Sequence, residues 1–403
     1  MKNQYDKGKF GGHQMTQVRG YARTHPWLNF EVDTRRLSYS VWMQLGEIVS
    51  KAKHVANAPI APEEARHLYN IFLAKGANAT TAIEGNTLSE EQVQQQIAGT
   101  LDLPPSQEYL QREVQNVIAA CNDLVARTQK DGACVVDVDF INKLNLDVLN
   151  GLDLEEGVVP GQIRRHSVVV AGYRGAPADD CYFLLEEMCR HLEIMLSGEP
   201  EEKMLRAIIA ALFAHAYIAL IHPYGDGNGR TSRLLEVYIL LRAGFPMPTC
   251  QLLSNHYNKT RTAYYRQLDM ISKSGGNLTP FFEYAVQGFV DGLREQVEAI
   301  EAEQVRVTWV NYIHAQFSDQ ATLAGKRRRD LALAISHDPE YRQIDDILAS
   351  AQKLSRTYAG LDEKTLTRDI NVLLRMEIIS RKAGRQYRPK TSKIRAFLPW
   401  RNE

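Results

Sequence analysis

The run Ile221-His222-Pro223-Tyr224-Gly225-Asp226-Gly227-Asn228-Gly229-Arg230-Thr231-Ser232-Arg233 packs a histidine, a carboxylate, three glycines and two guanidinium groups into one short stretch. His222 is the group whose ordinary pKa suits taking a proton near neutrality. Asp226 is the run's single carboxylate and suits a Mg²⁺ ion that bridges phosphate oxygens. Arg230 and Arg233 stand three apart, so on one helical face they can clamp two phosphates. Gly227 and Gly229 lack side chains and let an anion reach the backbone amides.

The run lies between two helix-patterned segments, so Asn228 falls at or near the start of the second. Amides there have no intrahelical partner, and the helix dipole adds partial positive charge. That makes an anion nest. It is not a Walker A loop, since no GKS or GKT is present. It is not a dinucleotide fingerprint either, because it follows a helix and not a strand. Together the parts specify attack by a hydroxyl on a nucleotide phosphate, with His222 as base and Mg²⁺ offsetting charge.

Helical periodicity supplies the elements around the loop. Helices are expected over 38–56, 62–85, 106–129, 138–152 and 181–196, with a further start at Thr87 and Ser89. EKMLRAIIAALFAHAYIALI, 202–221, is apolar nearly all round and reads as the buried centre of a bundle. Two more helices follow the loop segment. GVVPGQIRRHSVVVAGYRGAPADD, 157–180, mixes β-branched valines with Gly and Pro and reads as a hairpin. Residues 354–389 read helix, turn, helix and a short basic hairpin, which is a winged-helix pattern.

HPYGDGNGRTSR resembles the signature of Fic (Fido) domain proteins, His-x-Phe-x-Asp/Glu-Gly-Asn-Gly-Arg-x-x-Arg. Tyr224 stands where Phe is usual. A ring is kept there, and little harm is expected if its hydroxyl finds a partner. The resemblance implies a mainly α fold: a helical bundle with a β-hairpin flap. It implies transfer of AMP from ATP to a Ser, Thr or Tyr hydroxyl of a target protein. In that reading His222 is the general base and Asp226 the Mg²⁺ ligand. The loop Gly227, Asn228, Gly229, Arg230, Thr231, Ser232 and Arg233 cradles the triphosphate. Val168, Val169, Val170 and Ala171 of the flap lie on the ATP side, and the flap holds the target chain by strand addition. RTAYYRQL matches the family's Tyr-Tyr helix, where Tyr264 lines the adenine pocket or is a buried core tyrosine.

TTAIEGN, 80–86, resembles the family's inhibitory motif, with Thr80, Glu84 and Gly85 in register. The resemblance implies an ion pair between Glu84 and Arg233 that removes the γ-phosphate anchor. It leaves open a reverse activity in which Glu84 and His222 remove AMP, and a regulator that only senses nucleotide. Other phosphate-containing donors also stay open.

The formal net charge is 0, and 44% of residues are hydrophobic, which fits a globular chain. Residues 361–403 carry eleven basic and five acidic residues, a net of +6. DNA and protein are both open as partners of this tail, and so is a homodimer. Five scattered cysteines read as reduced thiols. The N-terminal run lacks an apolar signal core, and no stretch of eighteen apolar residues is expected to span a membrane. The expectation is a cytoplasmic chain. Its divisions are an N-terminal segment 1–60, an inhibitory helix region 61–104, a Fic core 105–304 and a winged-helix domain 325–395.

Overall fold

The computed structural model describes residues 19–130, 135–170, 172–320 and 322–395. The chain divides into two compact units, Met1–Gln296 and Val297–Glu403.

The first unit is a helical bundle around Lys203–Ile221. Ala207, Ala210, Ala211, Ala214 and Ala216 on this helix are fully buried. Small side chains on several sides let neighbouring helices come close. Asn228–Ala243 and Ala178–Leu196 pack along it, and Tyr39–Asn57 also contacts it. By length and composition Pro200–Ile221 is long and apolar enough to cross a membrane, contrary to the reading of the sequence. Its apolar window is 78% buried inside the fold, because the centre of a large bundle also selects an all-apolar helix.

Pro62–Ala82 packs against Glu108–Lys130, Leu252–Lys259 and Asn228–Ala243, so the end carrying Glu84 lies over the loop helix. Pro62 opens this helix with Glu63 and Glu64 in the first turn, as suits a helix start. Its last carbonyls are capped from outside. Arg261 Nη1 donates to the Ala82 carbonyl (3.3 Å) and the Tyr265 hydroxyl to that of Ile83 (3.3 Å). Ser89 starts the next helix, Glu90–Ile97, with a reciprocal capping box to Gln92.

The hairpin within 157–180 is short. Val169–Val170 pairs antiparallel with Tyr173–Arg174, in the register Val169↔Arg174 and Val170↔Tyr173. Its second strand is anchored from below. The Tyr173 hydroxyl donates to the Leu220 carbonyl (2.8 Å), and His25 Nε2 donates to the carbonyl of Arg174 (2.9 Å).

The second unit has its own core, with Trp309, Ile313, Leu331, Ile344 and Leu373. It holds a three-stranded antiparallel sheet in the order Arg342–Gln343, Gln386–Pro389, Ile379–Lys382, beside the helices Leu323–Ile335 and Glu363–Arg375.

Candidate active site

The loop joins the two central helices through two left-handed residues. His222 closes the first helix with φ 51° and ψ 59°, and Gly227 opens the second with φ 78°. That conformation costs a non-glycine residue about 1–2 kcal/mol, so something must hold His222 in it. Its N–H donates to the Ile218 carbonyl (2.9 Å). Its own carbonyl accepts from Arg164 Nε (2.8 Å). Arg164 is buried and also donates to the carbonyls of His166 and Ala176. One side chain thus ties the base of the hairpin to the backbone of His222. The hairpin comes so close that a Cβ on Gly175 would stand 3.0 Å from the Cβ of His222.

His222 Nδ1 lies 3.4 Å from the Ala219 carbonyl. A carbonyl only accepts, so this contact favours the Nδ1–H tautomer and leaves the Nε2 lone pair for a substrate proton. Burial pushes the imidazole pKa down to about 4. The Ala219 contact opposes this, Arg164 adds to it, and Glu84 and Asp226 oppose it. The ring is therefore a neutral base at physiological pH.

The loop is braced from the buried side. Asn145, fully buried, donates to the Asp226 carbonyl (3.0 Å) and to the Thr231 hydroxyl (3.3 Å), and accepts from the Gly161 N–H (2.9 Å). Asn228 exchanges two bonds with the backbone of Tyr224, at 3.0 and 2.9 Å. The Tyr224 ring is buried, and its hydroxyl finds Asn142 Oδ1 at 2.9 Å, the partner that a Tyr in place of Phe requires. Thr231 and Ser232 point inward. Both are fully buried, and Ser232 donates to the Gly229 carbonyl (2.8 Å). Their side chains brace the loop, as does that of Asn228. Asn228 can still offer a phosphate its backbone N–H, whereas the Thr231 N–H already donates to the Gly227 carbonyl (2.8 Å) and Ser232 lies beyond the helix's unpaired amides, so the phosphate contacts expected of Thr231 and Ser232 have no free group to make them.

The cleft side is charged. Arg230 Nη2 donates to both Asp226 oxygens (3.1 Å each), and its Nη1 to Glu113 (3.3 Å). Asp226 keeps 47% of its side-chain exposure, so it can turn to a ligand. Arg233 is 1% exposed. Its Nη2 donates to the Thr80 carbonyl (3.0 Å) and to Glu84 Oε1 (2.5 Å). Nε and Nη1 of Arg233 and Nε of Arg230 are buried without a partner.

Glu84 Oε1 sits against the Cα of Gly229, where any Cβ would collide with it. The carboxylate therefore occupies the nest between the glycine and Arg233. Burial is the largest influence on its pKa and raises it. The charge and hydrogen bond of Arg233, with Arg230 and His222, outweigh burial and hold it below the usual carboxylate range. Thr80 contributes its carbonyl to Arg233. Gly85 takes φ +105° just past the helix end, a conformation that glycine adopts without strain.

The flap residues are placed unevenly. Val168 is half-buried at the hairpin base. Val169 (60%) and Val170 (43%) are exposed on the first strand. Ala171 lies outside the described residues. Tyr264 is core. Its ring stacks on Tyr257 with centroids 4.7 Å apart, and its hydroxyl bonds His215 Nε2 at 2.7 Å. His215 Nδ1 is 3.0 Å from Glu236, which accepts from the Tyr257 hydroxyl (2.9 Å). A buried tyrosine hydroxyl needs such a partner, so of the two readings of Tyr264 the structure has the buried core tyrosine. Its half-exposed neighbour Tyr265 reaches the end of the Glu84 helix instead.

Asn86, Glu113, Asn145, Arg164 and Arg261 were not legible as site residues. Asn86 donates to Glu113 (2.8 Å) and to the Leu110 carbonyl (2.9 Å), which links the inhibitory motif to Arg230.

Residues 135–240 match the Fic/DOC family. The chain is 25% identical over 286 residues to a protein adenylyltransferase fic-1 of Caenorhabditis briggsae, covering 71% of this chain and 51% of that protein. It is 29% identical over 224 residues to the Caenorhabditis elegans protein adenylyltransferase fic-1, covering 55% and 41%. The chain thus spans about half or less of the length of these curated relatives. A Fic family protein from Desulfovibrio desulfuricans G20 has a similar fold, with TM-score 0.52, 22% identity and coverage of 87% and 94%. Fic-1 from C. elegans aligns with TM-score 0.51 and 25% identity, covering 70% of this chain and 76% of that one.

Proposed function

We propose that this chain, which carries a Fic/DOC family domain over residues 135–240, is a protein adenylyltransferase held off by Glu84. The observation that carries the reading is the Glu84 carboxylate on Arg233, inside an anion nest beside a neutral His222. Arg233 of this pair is buried while Glu84 keeps 32% of its side-chain exposure, so the carboxylate can leave the cradle, and a pair with one solvated partner adds little to stability by itself.

In the proposed reaction a Ser, Thr or Tyr hydroxyl of a target protein attacks the α-phosphorus of ATP. The new O–P bond forms as the bond to the β-phosphate oxygen breaks, and pyrophosphate leaves. His222 Nε2 takes the hydroxyl proton. Arg230 and Arg233 hold phosphate oxygens, with the amides at 228–230 beside them. Exposed Asp226, the loop's carboxylate, fits Mg²⁺ bound mainly through substrate phosphates. When bound, that ion would offset phosphate charge. The exposed edge of Val169–Val170 suits a target segment lying as an added strand. We place the protein in the cytoplasm, with ATP as donor.

The test is labelling with α-³²P-ATP and Mg²⁺, using wild type, Glu84→Gly and Glu84→Gly/His222→Ala. Label on the chain only with Glu84→Gly supports both transferase and brake. No label in any sample with ATP binding intact would count against the transferase.

Glu84, seated at Gly229, and His222 border the same loop. That favours one second reading, in which the pair activates water, releases AMP and restores the target hydroxyl. Wild type added to label-bearing Glu84→Gly protein would then strip the label, and Glu84→Gln would not.

A further inference from the structure

The second unit carries a charged surface that adenylyl transfer does not use. Helix Glu363–Arg375 is two-faced. Leu366, Ile370 and Leu373 are buried in the core, and Asp369 beside them is fully buried. The Asp369 carboxylate accepts from Arg327 Nε (2.7 Å), Arg328 Nε (2.8 Å) and the Tyr358 hydroxyl (3.0 Å). The opposite face presents Lys364, Thr367, Arg368, Asn371 and Arg375, all exposed and in helical register. Among the described residues, Lys364, Arg368 and Arg375 make no ion pair.

The hairpin that follows, Ile379–Lys382 with Gln386–Pro389, turns through left-handed Gly384 and Arg385. Arg381, Lys382 and Arg385 are exposed at its free end. Three nearby acids are engaged elsewhere. Asp369 is inside, Asp362 caps the helix by accepting the Lys364 N–H, and Glu377 pairs with Lys390 and Lys393 (3.1 and 3.3 Å). Of the eleven basic residues in 361–403, six are thus displayed by one helix face and one hairpin tip.

From the strand order, with the first strand pairing the last, and from this charge, we infer that the second unit is a winged-helix module that binds duplex DNA. Helix Glu363–Arg375 enters the major groove, and the hairpin tip meets flanking phosphates. Lys364 to Arg375 rises about 16 Å, enough to cross a major groove of about 12 Å. Arg and Asn are side chains that read base edges, while Lys and Arg neutralise phosphates. No large hydrophobic side chain is exposed on this helix among the described residues. The desolvated centre of a protein interface would want one. Duplex RNA hides its bases in a major groove too narrow for side chains to read.

The test uses the full chain and a fluorescein-labelled 30-base-pair duplex of arbitrary sequence, read by anisotropy at 50 and 200 mM NaCl. About four phosphate contacts would weaken binding on the order of 10²-fold between the two salts. Arg368→Glu and Arg381→Glu should each weaken binding at least about tenfold and reduce the salt slope by about one. Lys53→Glu, on an exposed residue of the first unit, should change nothing. Circular dichroism confirms folding of each variant, and Arg368→Gln repeats the test without charge reversal. Absence of duplex binding at 50 mM by folded wild type would overturn the proposal and leave the face to a protein partner. So would binding unmoved by all three helix and hairpin variants, or equal binding to duplex RNA.

Discussion

Glu84 meets a loop shaped for phosphate oxygens, and a carboxylate offers the same acceptor in a smaller package. Its charge satisfies Arg233 Nη2, yet leaves Nε and Nη1 of that buried side chain without partners. A phosphate bears more acceptors and could take them, so the nest is better matched to a phosphate than to the Glu84 carboxylate. Removing Glu84 should raise the initial rate of self-labelling by at least about 10²-fold, the usual cost of a misplaced reacting atom. Glu84→Gln keeps the shape, loses the charge, and should fall between wild type and Glu84→Gly. A Gln variant as silent as wild type would assign the brake to shape. The same charges bear on pH. His222 works as a base only when unprotonated, so activity is present above its pKa and lost below it. Its folded pKa is depressed to about 4, and Glu84, which raises it, is gone in Glu84→Gly. For that variant kcat/KM should stay flat from pH 8 to about pH 5. A fall centred near pH 6.5 would mean that His222 titrates as in water.

Among the elements, the hairpin and the loop act as one piece because Arg164 joins them. Its guanidinium meets three carbonyls, those of His222, His166 and Ala176. Lysine has a point charge and cannot span all three. Arg164→Lys in the Glu84→Gly background should lower kcat about 10–100-fold, with a smaller change in KM for ATP. Comparable losses in both would make Arg164 a mere structural strut. Nothing in RRHSVVV marks which of Arg164 and Arg165 turns inward; backbone direction decides it. The loop itself was legible because His222, Asp226 and the two arginines are neighbours in sequence. Its braces were not, since Asn145 reaches the Asp226 carbonyl across 81 positions and Arg230 reaches Glu113 across 117. The helices were legible by period, and the central one by its apolar girth. Tyr264 and Tyr265 show the limit: adjacent residues on a helix point about 100° apart. Pattern alone does not say which enters the core beside His215.

At the scale of the whole molecule, two units carry two separate cores, so one melting temperature does not describe the chain. The groups proposed to hold phosphate, Arg230 and Arg233, lie in the unit Met1–Gln296. A ligand that binds the folded state stabilises it by RT ln(1 + [L]/Kd), about 2.7 kcal/mol at a hundredfold excess over Kd. In wild type, ATP must displace the Glu84 carboxylate from Gly229 and Arg233 or bind beside it. In Glu84→Gly it meets an open nest and an unneutralised Arg233. Calorimetry with Mg-ATP should therefore shift one transition, that of the loop-bearing unit. The shift should be several degrees larger in Glu84→Gly than in wild type, at about 2–4 °C per kcal/mol for a unit of this size. Mg²⁺ alone should move neither transition much, since Asp226 is the loop's single carboxylate and the described residues hold no cluster of three metal-ligating side chains. Equal shifts in the two proteins would show that Glu84 leaves ATP affinity untouched. The brake would then act on the aim of the α-phosphate, and the rate difference between Glu84→Gly and wild type would reside in kcat rather than in KM for ATP.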